Sequence, residues 1–146
     1  MPGTPGGTAC AVFARMRAPW KVFQPHRVLL VDDNMDHVKT LALLLHSMGH
    51  QTEIAVSGHA AISVARRFRP EFVLLDWALP DVDGTHVCRQ LRQESGLEHV
   101  RILMVTGSAR EGDRERALEA GCDDFLQKPL DPRFLESLLG SSDATG

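Results

Sequence analysis

Positive charge is in short supply: 16 Lys and Arg face 19 Asp and Glu, leaving a net charge of −3. Such a balance offers no basic surface for nucleic acid. Cysteine is scarce too. Cys10, Cys88 and Cys122 are scattered, odd in number and without the short paired spacing of zinc or redox sites, and a reducing cytosol suits them. No apolar run reaches membrane-spanning length. The longest run near the start, 9–14, is too short for a secretory core, and Arg15 and Arg17 follow it instead of preceding it. These absences point to a cytoplasmic chain with no direct contact with nucleic acid or membrane.

What remains is ordinary globular material. A chain of 146 residues, 43% hydrophobic and 24% charged, holds one domain with a core of its own. Residues 1–25 are Gly/Pro/Thr-rich at first and lack a clean period, so they read as a disordered extension. The alternative is an arm docked through Val12, Phe13, Trp20 and Phe23, and Met16 is a second candidate start. Residues 26–140 form the folded unit, and 141–146 read as a flexible tail.

Within that unit short apolar runs alternate with helical patterns five times, the signature of βαβ units and a parallel sheet. Val28 to Val31, Phe72 to Leu75 and Ile102 to Val105 are unbroken and apolar, as buried central strands require, whereas Thr52 to Val56 alternates like an edge strand. A fifth short strand surrounds Phe125 and Leu126. Between them, Val38, Leu41, Leu45 and Met48 share one helical stripe ending at Gly49; Ser57 caps a second helix stopped by Pro70; Val87, Cys88 and Leu91 mark a third. A weaker helix spans about 110–120, and Asp131 caps a last one with Pro132 at its first position, burying Leu135, Leu138 and Leu139.

In an open parallel α/β sheet the carboxyl ends of the strands share one edge, where ligands bind. Asp32 and Asp33 follow the first strand, Asp76 the third, Thr106 the fourth and Lys128 the fifth. A lone Asp after a strand is usually a turn former or a cap. Three acids, a hydroxyl and an ammonium at four strand ends are hard to obtain by accident.

From Arg27 to Leu139 the chain resembles the receiver domains of response regulators, in Val31-Asp32-Asp33-Asn34, Asp76-Trp77-Ala78-Leu79-Pro80 with Gly84, Thr106-Gly107 and Lys128-Pro129. The resemblance implies a three-layer, doubly wound, five-stranded parallel sheet in the flavodoxin-like order 2-1-3-4-5. It implies that Asp76 is a phosphoacceptor, loaded by a histidine kinase or a histidine phosphotransfer protein. Mg²⁺, replaceable by Mn²⁺, would be held directly by Asp33 and Asp76, mainly through water by Asp32, and by the backbone carbonyl of Ala78. Lys128 and Thr106 would bind the phosphoryl group, Phe125 would be the switching aromatic without the frequent tyrosine hydroxyl, and Pro129 would follow a cis bond. Ala78 and Ser108 would tune hydrolysis; Ala78 cannot hold an attacking water, so a moderately long-lived phosphoryl group is expected. A single-domain regulator or phosphorelay shuttle would act through a downstream protein partner, with a homodimer also open, and would not be an enzyme.

Three other readings compete. Asp81-Val-Asp-Gly-Thr85 matches the nucleophile motif of haloacid-dehalogenase-like phosphatases, yet the apolar strand ends at Asp76 and Pro80 precedes Asp81. A degenerate receiver could dock without phosphorylation, although every expected site residue is present. The seven histidines could suggest a metal site or a phosphohistidine carrier; no third ligand accompanies His46 and His50, and the histidines are read as surface residues.

Overall fold

The computed structural model describes residues 25–145, with side chains through residue 139. Expectations for the extension and its Val12, Phe13, Trp20 and Phe23 lie outside the described residues. Among the described residues no helix is long and apolar enough to cross a membrane.

Five strands, β1 (Arg27–Val31), β2 (Gln51–Ala55), β3 (Phe72–Asp76), β4 (Arg101–Thr106) and β5 (Asp124–Gln127), alternate with helices α1 (Met35–Ser47), α2 (Gly58–Phe68), α3 (Gly84–Gln93), α4 (Asp113–Glu119) and α5 (Pro132–Thr145). All strand pairings are parallel, in the order β2-β1-β3-β4-β5. This is the doubly wound, flavodoxin-like arrangement expected from the sequence.

The three layers follow from the period of two along each strand. Leu29, Val31, Val73, Leu75, Ile102 and Met104 face one side and pack with Ala61 and Ala65 of α2, Val87 and Leu91 of α3 and Ala117 of α4. Val28, Leu30, Leu74, Leu103 and Val105 face the other and pack with Val38 and Leu45 of α1 and Leu135 and Leu139 of α5. Since both faces are covered, a central strand can carry an unbroken apolar run; all of β3 is buried.

Local chemistry sets the helix starts. The side chains of Asn34, Ser57 and Asp83 accept from the amides of His37, Ala60 and Thr85, and Asp131 accepts from Arg133. Gly49 adopts φ 93° after α1, where a side chain would be strained.

Four details differ from the sequence reading. The edge strand pairs one residue earlier, Arg27 with Gln51, and leaves Val56 exposed. α4 begins at Asp113 and not near Arg110, because Gly112 takes a left-handed conformation and Asp113 accepts from the Arg110 amide, closing a turn instead of a helix. α5 continues through Thr145 instead of giving way to a tail at 141; Gly140 does not break it, and no proline lies between 133 and 145 to interrupt it. His26 and His50 are buried, not surface residues: the His26 amide donates to His50 Nδ1 at 2.9 Å and the rings stack beside Phe72.

Candidate functional site

The ladder carries one rung past the strand ends. Asp32 N donates to Ala55 O, Trp77 N to Val105 O and Lys128 N to Thr106 O, each within 3.0 Å. Those bonds hold Asp32, Asp76, Thr106 and Lys128 at one edge of the sheet. The Lys128–Pro129 peptide is cis. Behind the acid of β3, Gly84 N donates to Trp77 O, and a Cβ on Gly84 would lie 2.8 Å from Asp76 O and 2.9 Å from both Met104 Sδ and Trp77 Cα. Only glycine lets α3 start so close to the Asp76 backbone.

Asp32, Asp33 and Asp76 each offer a carboxylate oxygen, and these oxygens lie within 4.8 Å of one another. Asp32 and Asp76 are buried and Asp33 is exposed. Lys128 Nζ sits 3.1 Å from Asp32 Oδ2 and 3.6 Å from Asp76 Oδ2. An oxygen-only cluster of three carboxylates is suited to a hard divalent cation.

The two buried acids are driven apart in basicity. Burial pushes the Asp76 carboxyl up to about 6; the Lys128 charge opposes that rise and the neighbouring Asp32 adds to it. At Asp32 burial works in the same sense but is outweighed by hydrogen bonds from the Asn34 amide, Lys128 and His37, so its carboxyl stays below the usual range. His37 Nδ1 lies 3.2 Å from Asp32 Oδ2. Grouping all histidines at the surface missed this contact; its one sequence signal is the position of His37 in the first turn of the helix after the acidic pair.

Two recesses open at this end of the sheet. One contains Asp32, His37, Asp76 and Lys128. The other, a cleft of about 450 Å³, is lined by Trp77, Ala78, Thr106 and Ser108 on its inner side. Thr106 Oγ1 accepts from Ser108 N at 3.2 Å. Phe125 is buried on β5; the Trp77 ring meets it edge-on at 5.8 Å, and the Arg114 guanidinium lies 6.0 Å over its ring.

Asp81, the acid on which the phosphatase alternative rests, ends no strand. Its carboxylate accepts from the amides of Gly58 and His59 at 2.8 and 3.0 Å and lies 2.8 Å from His59 Nδ1, so it caps α2 and is held below the usual carboxylate range. Asp83 is similarly occupied by Thr85 and the Trp77 indole.

Residues 28–139 match the response regulator receiver domain. The chain belongs to this family. Receiver domains of response regulators are signalling proteins of two-component systems. This receiver domain is 35% identical over 115 residues to the polar-differentiation response regulator DivK of Brucella anthropi, an alignment that covers 78% of this chain and 94% of DivK. Among solved structures it resembles the receiver domain of a sensor histidine kinase from Pseudomonas aeruginosa PAO1, solved with magnesium coordinated in its active-site cleft, at 33% identity and a TM-score of 0.72 over 80% of this chain and 95% of that one. It also resembles a CheY-like receiver domain protein from Methanospirillum hungatei, at 26% identity and a TM-score of 0.74, covering 84% of this chain and all of that one.

Proposed function

We propose that this receiver domain accepts a phosphoryl group on Asp76 from a phosphohistidine of a histidine kinase or histidine phosphotransfer protein, and converts it into a surface change read by a partner protein. One observation carries the reading. The Asp76 carboxylate, buried at the end of a central strand, has two other carboxylates within 4.8 Å and the Lys128 ammonium at 3.6 Å. Asp33 and Asp76 would hold Mg²⁺, or Mn²⁺, directly, with Asp32 contributing through water and Ala78 through its carbonyl. When bound, the ion neutralises the clustered acids and the phosphoryl oxygens.

The remaining chemistry belongs to the side chains. Burial, with the neighbouring Asp32 charge, raises the basicity of the Asp76 carboxylate above that of an ordinary aspartate, which favours it as a nucleophile. Its oxygen attacks phosphorus as the bond to the histidine nitrogen breaks, giving an aspartyl phosphate. Lys128 already bridges Asp32 and Asp76, so a small swing of its stem brings its charge onto the incoming group. Because Thr106 Oγ1 accepts from Ser108 N, the hydroxyl hydrogen is left to donate to a phosphoryl oxygen. Thr106 moving inward loosens the packing around Phe125, which exchanges its place beside Trp77 and Arg114 for a second rotamer. Ala78 and Ser108 flank the route of an attacking water; the methyl of Ala78 positions none, so the phosphoryl group is moderately long-lived. The surface of β5 and α5 is where the partner, or a second copy of the chain, reads the change.

Incubation with acetyl phosphate and Mg²⁺ followed by intact-mass measurement tests the proposal. Wild type gains one phosphoryl group and Asp76→Asn gains none. Equal labelling of both, or labelling that persists in EDTA, would refute it, and a half-life of under a few seconds would refute the role given to Ala78.

A further inference from the structure

Two of the three cysteines meet. Cys88 lies on the inner face of α3 and Cys122 in the turn between α4 and β5, 34 residues later, and their sulfurs are 3.2 Å apart with both side chains free and buried. Neither belongs to the site at the strand ends. We propose that Cys88 and Cys122 form an intramolecular disulfide when the protein meets a peroxide, tying α3 covalently to the α4–β5 turn.

The geometry supports this at three points. A disulfide needs its sulfurs at ~2.05 Å, an approach within reach of side-chain torsions because Cys122 stands in a turn. That turn is made by Gly121 at φ 110°, where a Cβ would lie 3.1 Å from Arg92 Cγ and 3.7 Å from Cys88 Sγ, so glycine lets the Arg92 stem pass close beside the pair. Arg92 covers the pair, its guanidinium bonded to Gly121 O, Val100 O and Asp123. Its charge is held beside the sulfurs. At Cys88 the Cys122 S–H and the Arg92 charge favour the thiolate against burial, while the same contact and burial push the Cys122 thiol up. Cys88 is therefore the nucleophile and Cys122 the resolving thiol.

The reaction balances with the peroxide as the only oxidant. The Cys88 thiolate attacks one peroxide oxygen, the O–O bond breaks, and the departing hydroxide takes the proton released by Cys88, leaving a sulfenic acid and water. Cys122 sulfur then attacks the Cys88 sulfur, and the hydroxide that leaves takes the Cys122 proton as a second water. Two thiols lose two electrons and two protons, and one peroxide becomes two waters.

This inference is independent of phosphorylation. The test uses the full chain carrying Cys10→Ser, which leaves the pair as its only thiols. The reduced protein is exposed to excess hydrogen peroxide near neutral pH, denatured, alkylated and weighed, and wild type is treated in parallel and mapped as non-reduced peptides. Expected are a mass lower by two hydrogens, loss of both alkylatable thiols, reversal by dithiothreitol, a monomer on a non-reducing gel and a higher thermal midpoint than the reduced form. Cys122→Ser should instead carry Cys88 to oxygen acids. Two thiols still alkylated after exposure, sulfinic acid without a cross-link in the Cys10→Ser chain, or wild-type links that run through Cys10 or between chains would each overturn the proposal.

Discussion

Replacing Asp76 with asparagine should stabilise the metal-free protein at neutral pH and leave it unimproved in acid. The Asp76 carboxyl is raised from 3.8 to about 6, first by burial and then by Asp32. A raised acid favours its protonated form in the folded chain, so its share of stability is complete below 3.8 and is lost as pH rises through about 6. At about 1.4 kcal/mol per pH unit the interval corresponds to roughly 3 kcal/mol, and about 2 kcal/mol remains once screening at the open rim is allowed for. Asparagine keeps the shape and drops the charge. In urea melts with EDTA, Asp76→Asn should therefore exceed wild type by about 2 kcal/mol at about pH 7.5, with the gap closing by about pH 4. The difference between the two proteins cancels the other titrating groups apart from Asp32, which also gains from losing its neighbour. A gap of constant size from acid to neutral pH, or a less stable variant at neutral pH, would refute the account of the site as a strained acidic cluster.

Mg²⁺ should reverse the order. Where the ion stands at a hundred times its dissociation constant, wild type gains about 2.7 kcal/mol over its EDTA value, and Asp76→Asn much less, as read from melts with and without the ion. Lys128→Met removes the cation that bridges Asp32 and Asp76, and should slow acceptance from acetyl phosphate by about 10²-fold while the circular dichroism spectrum is retained. Gly84→Ala forces a Cβ to within 2.8 Å of Asp76 O, and should cost about 1–3 kcal/mol in urea and slow labelling as well. His50→Leu leaves the buried His26 amide without its acceptor, and should cost about 1–3 kcal/mol without changing the labelling rate.

How far the chain could be read depended on the range of each interaction. Central strands announced themselves because burial on both faces demands unbroken apolar runs, and caps such as Ser57 and Asp131 act within three residues of the helix they start. A left-handed glycine at 112 was enough to shorten α4, since a periodic pattern says nothing about where the backbone turns. The gathering of Asp32, Asp76, Thr106 and Lys128 was legible for a different reason: parallel right-handed crossovers send every strand's carboxyl end to one edge, whatever the residues between.

Contacts between side chains were not legible. That Lys128 stands nearer Asp32 than Asp76, that His37 joins the acids, that His26 lies buried on His50, and that Cys88 touches Cys122 all depend on how helices seat against the sheet. By itself the sequence determined the layers, the strand ends and the chemical groups placed there, through local periodicity and the handedness of the chain. Only the tertiary structure decided which of those groups pair and how basic each becomes, because burial and charge act through space over a few ångströms between residues far apart along the chain.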